Sequence, residues 1–219
     1  MKRNLSNSRT RHTSRDLWAL VAVLFFLLLS KTSLQAQDAD YQLGVRGGFG
    51  MATLSGFQNN GLKLGFAAGF YGKYFFSEKT SIIADIDYSM GGQQSERWVS
   101  GNLDEKKVYR KYSLHYLNMP ILYQYYFTDI LGLEAGFNFL YCLGGNLKTK
   151  IGNESWEKTA LDHNNIDCGL IFGVYTDNLI PHEDFFVSLR AYFGFIDVVK
   201  EVGSNKNVSV QVSVGYTLF

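Results

Sequence analysis

Seven charged side chains in this 219-residue chain could act together. Apolar and polar residues alternate along strand-like segments, and this alternation places the seven on the same face. They are Arg46, Lys73, Asp85, Asp87, Glu134, Asp167 and Arg190. Cations and carboxylates on a shared face could conduct ions through a lumen, or they could pair and fill it. An unpaired charge in a narrow interior is costly, so we predict a salt-bridged lumen charge network with a structural role.

The histidines give little support for catalysis. His115, His163 and His182 do not have spacings typical of metal ligands. The residues that could join them at a loop rim are Asp104, Glu105, Ser113 and Asp162. Such residues are usually solvated loop residues, so a rim-site lipid-modifying enzyme or protease is a less favoured hypothesis. We predict no catalytic, cofactor-binding or metal-ligating residues, and no cofactor.

Two tryptophans are the candidate contact residues. Trp98 and Trp156 fall in two long polar segments that are predicted to be loops. Exposed tryptophan is enriched at binding hot spots, and near a membrane it also anchors loops to headgroups. Both interpretations stay open.

Composition excludes several classes of protein. The chain has 21 Lys and Arg against 20 Asp and Glu, whereas a nucleic-acid-binding protein needs a clustered basic surface, so we predict no nucleic-acid partner. Two cysteines cannot form a disulfide scaffold. By alternation Cys142 points inward and Cys168 outward, so we expect no bond between them unless a bulge changes the register.

Residues 1–36 have the layout of a cleavable signal peptide. A basic start is followed by an apolar run from Leu17 to Leu29, and then by polar and small residues ending in Ala36. The run would span about 20 Å as a helix, which is short for a bilayer core of about 30 Å. An N-terminal membrane anchor is therefore the less favoured alternative. We predict a signal peptide over 1–36 and one barrel domain over 37–219.

Alternation with a period of two residues runs through the rest of the chain. Its clearest stretch is Val208 to Leu218, where every even position is apolar. The pattern predicts eight strands, at about 41–53, 62–76, 80–91, 110–127, 131–144, 164–176, 184–196 and 207–219. Short connections alternate with longer ones in an up-and-down antiparallel meander, and 92–109 and 145–163 are predicted to be long polar loops.

The two faces of the predicted strands differ in size and polarity. One face carries large apolar residues such as Phe66, Phe137 and Phe193, and the other carries glycines and charges. An eight-stranded barrel has room inside only for side chains, so the bulky face must point outward, where it contacts membrane lipid. We therefore predict an all-β, eight-stranded antiparallel transmembrane β-barrel with a filled polar interior, in the outer membrane of a Gram-negative bacterium.

Two local features refine this prediction. Aromatic residues cluster at strand ends beside the short connections, at 74–76, 123–127, 185–186 and Tyr216, which predicts an aromatic girdle. Pro120 lies inside the fourth strand, where it cannot donate a ladder hydrogen bond, and it predicts a bulge or a bend.

Three segments resemble one protein family. The segment HYLNMPILYQYYF, from His115 to Phe127, resembles the YLxIPLLxKYYF strand of PorT-like outer-membrane β-barrel proteins of the Bacteroidetes. LGLEAG at 131–136 and LGVRGG at 43–48 are similar to the family's next strand and first strand. The resemblance implies an eight-stranded outer-membrane barrel with long loops facing the medium.

The resemblance also implies partners. The outer-membrane assembly machinery is expected to read a terminal aromatic residue, and the chain ends in Phe219, although Leu218 is the residue in phase with the apolar face. The founding member of the family is associated with protein secretion. A secretion-associated component that contacts a larger export machine is therefore the alternative hypothesis, with envelope or secretion proteins as candidate partners. The main hypothesis is a small, non-enzymatic barrel with a structural or surface-interaction role.

Overall fold

The computed structural model describes residues 41–56, 60–100, 105–128, 130–152, 154–177, 184–200 and 204–219. The predicted signal peptide over 1–36 lies outside the described residues, and so do Asp104 and His182. Within the described ranges, no helix is both long and apolar enough to cross a membrane.

Nine strands follow one another along the described chain, and all their pairings are antiparallel. They are β1 (Tyr41–Leu54), β2 (Asn60–Ser77), β3 (Thr80–Ser100), β4 (Glu105–Tyr126), β5 (Gly132–Ile151), β6 (Glu157–Ala160), β7 (Ile166–Thr176), β8 (Phe185–Asp197) and β9 (Lys206–Thr217). Because β1 pairs with β9 and β4 pairs with β5, eight of the strands close into a ring. The short β6 pairs with β5 outside that ring. The predicted eight-stranded up-and-down barrel is confirmed.

The two ends of the barrel differ in their connections. At one end, here called the short-turn end, β2 joins β3, β4 joins β5, β7 joins β8, β1 begins and β9 ends. At the opposite end, the extended end, β3 and β4 remain paired as far as Ser100 and Glu105, and β5 continues to Ile151. The predicted loops at 92–109 and 145–163 are therefore wrong over much of their length. Both faces of this extension are rich in polar residues, so alternation could not reveal it.

The barrel has an apolar outer face. The outward side chains of β5 are apolar from Leu133 to Leu143, and a tilted strand needs about 9–11 residues to cross a bilayer. Phe70 in β2, Ile121 in β4 and Val212 in β9 are exposed in the same way. The prediction that bulky apolar side chains point outward is confirmed, and these residues form the apolar belt of the barrel.

Aromatic side chains surround the short-turn end. The exposed ones are Tyr74, Phe76, Tyr123, Tyr125, Phe127 and Tyr216. Such a ring is typical of the membrane–water boundary. Phe75, Tyr126 and Phe186 do not belong to it, contrary to the prediction. Phe75 and Tyr126 contact the buried Lys73, and the buried Phe186 ring has its centroid 5.0 Å from that of Tyr71 in an edge-on contact.

Pro120 does not produce the predicted bulge. The alignment of β3 with β4 is the same before and after the proline. A register shift lies instead between β4 and β5, where Leu143 is left out of the pairing between Cys142 and Gly144. The missing N–H of proline therefore interrupts the ladder locally without displacing the strands.

Candidate functional site

All seven charged side chains of the predicted network are buried inside the ring. Their contacts divide them into three groups. The central cluster consists of Arg46, Asp85, Asp87, Glu134 and Arg190. Lys73 lies nearer the short-turn end and Asp167 nearer the extended end, each with partners of its own.

Arg190, in β8, bridges two carboxylates across the lumen. Its Nε donates to Glu134 Oε1 at 2.5 Å and its Nη2 donates to Glu134 Oε2 at 3.0 Å. Its Nη1 donates to Asp85 Oδ2. Gln124 Nε2 also donates to Glu134 Oε2, at 2.9 Å. The two hydrogen bonds from Arg190 to Glu134 form the strong, bidentate type of arginine–carboxylate pair. Together with the bond to Asp85, they join β3, β5 and β8.

Arg46, in β1, approaches the same aspartate from another strand. Its Nη1 donates to Asp85 Oδ2, and its Nη2 donates to Ser213 Oγ at 2.7 Å and to Ser188 Oγ at 3.3 Å. Its Nε lies 4.0 Å from Asp87 Oδ2. Asp85 therefore accepts hydrogen bonds from two guanidinium groups, which compensates for the burial of its charge.

Glycine provides the space in which these long side chains meet. Gly69 in β2 lies between Arg46 on one neighbouring strand and Asp87 on the other. A Cβ at Gly69 would overlap both the Ile86 carbonyl oxygen and Asp87 Oδ1. The matching set elsewhere in the ring is Glu134, Gly173 and Arg190. In both sets the charged residues face each other across a strand that has no side chain at that height.

Lys73 pairs with a carboxylate that the sequence analysis missed. Its Nζ lies 3.0 Å from Asp177 Oδ2 and donates to the Tyr126 hydroxyl oxygen at 2.7 Å. The Tyr175 ring centroid is 5.2 Å from the same ammonium nitrogen. Asp177 follows β7 in a segment predicted to be a connection, so alternation gave no reason to place it beside the lumen.

Asp167 forms no salt bridge with the described cations. Its Oδ1 accepts from the Ile196 backbone N–H at 3.4 Å, and its buried Oδ2 has no hydrogen-bond partner among the described residues. A polar cavity of about 70 Å³ is lined by Tyr192 and Arg190 among others. Asp167 therefore accepts only a backbone N–H among the described donors, whereas Asp85, Asp87 and Glu134 each lie within 4.0 Å of an arginine nitrogen.

The two predicted contact residues are exposed at the extended end. Trp98 lies within β3 and not in a loop, and Trp156 immediately precedes β6. Lys107 Nζ is 5.7 Å from the Trp98 ring centroid, and Lys111 Nζ is 5.1 Å from the Trp156 ring centroid. Each tryptophan thus has a lysine over its ring, at a distance typical of a cation–π contact.

An open cavity of about 660 Å³ lies beside Trp156. The residues that line it include Glu96, Tyr109, Arg110, Lys111, Lys150 and Trp156. Glu96 Oε2 lies 2.6 Å from Lys107 Nζ, and this hydrogen bond raises the pKa of Lys107. The lining is thus basic and aromatic, with a carboxylate that already has a lysine partner.

The histidines do not gather into one site. His115 faces outward, where its Nδ1 lies 2.6 Å from the Tyr88 hydroxyl oxygen. His163 contacts an inward residue, because its Nε2 lies 3.9 Å from Cys142 Sγ. Cys142 and Cys168 are both free thiols. No described set of three or more His, Cys, Asp and Glu residues is arranged to hold a metal ion.

The family described as outer membrane protein beta-barrel domain matches residues 35–200. A comparison with curated proteins finds no match. Among solved structures, the chain is similar to Neisserial surface protein A, at 12% identity and a TM-score of 0.48, covering 82% of this chain and 98% of that chain.

Two further solved structures are similar over the same share of the chain. OprG from Pseudomonas aeruginosa has 15% identity and a TM-score of 0.44, with 82% of this chain and 96% of that chain covered. Ail, the attachment invasion locus protein of Yersinia pestis, has 12% identity and a TM-score of 0.44, with 82% of this chain and 99% of that chain covered.

Proposed function

Because the chain belongs to the outer membrane protein β-barrel domain family, and so resides in the outer membrane of a Gram-negative bacterium, we propose that it is a closed, non-enzymatic surface barrel. In this proposal the barrel serves as an anchor, and the sheet extension of β3 to β6 makes contacts outside the cell. Outer-membrane barrels place short turns in the periplasm and longer connections outside, so the extended end faces the medium.

The observation that supports a closed lumen is the central ion-pair cluster. Arg46, Asp85, Glu134 and Arg190 are each at most 4% exposed. An eight-stranded barrel leaves room only for side chains, so paired charges that reach across the lumen fill it. Opening a passage would separate buried opposite charges, which is strongly unfavourable.

Recordings in planar lipid bilayers test the closed lumen. We expect the purified barrel to insert without stable single-channel currents. Large, stable currents from the native protein would contradict this part of the proposal.

Labelling of intact cells tests the orientation. We would place single cysteines by Trp98→Cys at the extended end and by Lys79→Cys at the short-turn end, each in a Cys142→Ser, Cys168→Ser background. A membrane-impermeant maleimide should label position 98 on intact cells and position 79 only after the outer membrane is permeabilised. The opposite pattern would place the extension in the periplasm and overturn the proposed surface role.

A second proposal follows from the PorT-like resemblance, namely that the barrel is a secretion-associated component. A specific observation favours it. A cavity of about 290 Å³ at the short-turn end is lined by aromatic and acidic residues, including Tyr126, Asp177, Phe185 and Phe186. In the proposed orientation this cavity opens toward the periplasm, where the parts of an export machine would contact it.

Site-specific photo-crosslinking separates the two proposals. A photoreactive residue at Glu78 lies beside the short-turn cavity, and one at Trp98 lies on the extension. Crosslinks to envelope proteins from position 78, together with a block in surface export on deletion of the gene, support the secretion role. Crosslinks from position 98 alone, with export intact, support the surface role.

A further inference from the structure

A row of lysines crosses the outer surface of the extended end. Lys111 in β4 lies directly opposite Lys148 in β5, and Lys148 lies directly opposite Lys158 in β6. All three side chains are exposed. Directly opposed residues project from the same face of a sheet, so the three lysine side chains leave neighbouring strands side by side. We call these three residues the lysine row.

The fold provides little compensation for this charge. Like charges directly opposite each other destabilise a sheet. No described carboxylate forms a salt bridge with the lysine row. Glu96 pairs with Lys107 instead, and Glu157 neighbours Lys158 along β6 and so projects from the opposite face. A fourth cation, Lys63, lies within Coulombic range of Lys111 and Lys148.

Protection of a sheet edge does not account for the whole row. Lysine on an edge strand discourages edge-to-edge aggregation, and one edge of β6 pairs with no described strand. That reason applies to Lys158. It does not apply to Lys111, which lies between β3 and β5, or to Lys148, which lies between β4 and β6.

The distance of the lysine row from the apolar belt indicates which layer of the membrane the row contacts. Lys148 lies five residues beyond Leu143, the last apolar outward residue of β5, which is about 10 Å along the membrane normal for a tilted strand. A lysine side chain can bend back toward a charged interface. Trp156, which lies beside Lys111, is of the residue type enriched at such interfaces. The row is therefore at the height of lipid headgroups.

We propose that the lysine row binds the phosphate groups of anionic lipid headgroups in the outer leaflet of the outer membrane. The inference rests on the proposed function, because it needs the extended end to lie on the outer side. Ammonium groups bind phosphate as point charges, and three in a line can contact a headgroup with more than one phosphate. Bound phosphate would offset the repulsion within the row.

Lipid titration of the full barrel in detergent tests this proposal. The probes are diphosphoryl lipid A and phosphatidylcholine, with tripolyphosphate as a soluble phosphate source. In the variant Lys111→Gln/Lys148→Gln/Lys158→Gln, we expect the Kd for diphosphoryl lipid A to rise about 100-fold, since each lysine near an anionic surface contributes roughly a factor of five. The variant with arginine at the same three positions should keep most of the affinity.

The matched control is Lys79→Gln/Lys200→Gln/Lys206→Gln, which removes the same charge from exposed lysines outside the row. It should change the Kd by less than about twofold. Equal losses of affinity in both triple variants would show that net charge alone explains the binding. An unchanged Kd in the row variant would show that the lysine row does not bind the lipid. If tripolyphosphate bound as tightly as lipid A, the site would be one for soluble polyanions, and the lipid assignment would be overturned.

The titration does not depend on the orientation of the barrel in cells. Labelling that places the extended end in the periplasm, with intact lipid affinity, would therefore overturn the surface orientation and the outer-leaflet assignment, but not the phosphate-binding role of the lysine row. Loss of the lipid preference with correct labelling would overturn the lysine row alone.

Discussion

Arg190 contacts two carboxylates, so its removal leaves Glu134 without an ion-pair partner among the described cations and leaves Asp85 with Arg46 alone. We predict that Arg190→Met lowers the free energy of unfolding by about 3–5 kcal/mol, because breaking a buried pair exposes an uncompensated charge to the interior. Urea unfolding in detergent micelles, followed by the heat-modifiable gel shift of the barrel, measures the change.

Arg97 provides the control for this measurement, because it is exposed in β3. Arg97→Met should change the stability by less than about 0.5 kcal/mol. Adding Glu134→Gln to Arg190→Met should recover part of the loss. Equal stability of the native protein and Arg190→Met would show that the ion pairs do not stabilise the barrel.

Gly69 and Gly173 lie between charged side chains that meet above them. A Cβ at Gly69 would overlap the Ile86 carbonyl oxygen and Asp87 Oδ1, and one at Gly173 would lie 2.7 Å from both Glu134 Oε1 and the Leu189 carbonyl oxygen. We predict that either glycine-to-alanine change destabilises the barrel by about 1–3 kcal/mol, as overpacking of an interior does. Gly144→Ala is the matched control, because nothing lies within 4 Å of its added Cβ. The same unfolding assay should find Gly144→Ala close to neutral, and a similar cost at all three positions would refute the steric explanation.

Alternation parity could predict which charged residues share a face, because every second side chain of a strand points the same way. It could not predict their partners. The pairing of Lys73 with Asp177 and of Asp167 with the Ile196 backbone N–H depends on how far neighbouring strands are staggered around the ring. Stagger is a property of the closed barrel and leaves no local pattern in the sequence.

At the scale of elements, the strands extend well beyond the apolar belt. β3 and β4 remain paired to Ser100 and Glu105, although the segment between 92 and 109 was predicted to be a loop. The apolar belt imposes alternation only where lipid touches one face, so strand pairing in water has no such signature. The central part of each strand was predictable for this reason, and the ends at the extended side were not.

Because the strand ends beyond the apolar belt lie outside the lipid, we predict that the extension of β3 and β4 can be removed without loss of the barrel. We would replace residues 95–110 by Asn-Gly, which joins the paired residues Gln94 and Lys111 through a two-residue hairpin turn. The shortened protein should still show the heat-modifiable gel shift and should lose crosslinks made from the extension. A shortened chain that fails to assemble, while the Gly144→Ala protein assembles, would show that the extension is needed for folding.

At the scale of the whole molecule, ring closure depends on the pairing of β1 with β9. The last residues continue this pairing, since the Leu43 N–H donates to the Phe219 carbonyl oxygen at 2.9 Å and the Leu218 N–H donates to the Leu43 carbonyl oxygen at 2.8 Å. Both terminal side chains are exposed, Leu218 at 49% and Phe219 at 64%. Their backbones therefore close the ring, while their side chains remain available to other molecules.

We predict that Phe219→Ala reduces assembly in cells without reducing stability. The backbone hydrogen bond at Phe219 survives the substitution, and the exposed ring makes a small contribution to the folded barrel. The folded fraction in isolated outer membranes, read from the gel shift, should fall several-fold, whereas refolding of the purified chain into detergent should be unchanged. Leu218→Ala serves as the comparison, because Leu218 is in phase with the apolar face. A larger assembly defect from Leu218→Ala would mean that the assembly machinery reads the in-phase residue, and a matching loss of refolding in detergent would mean that Phe219 acts through stability.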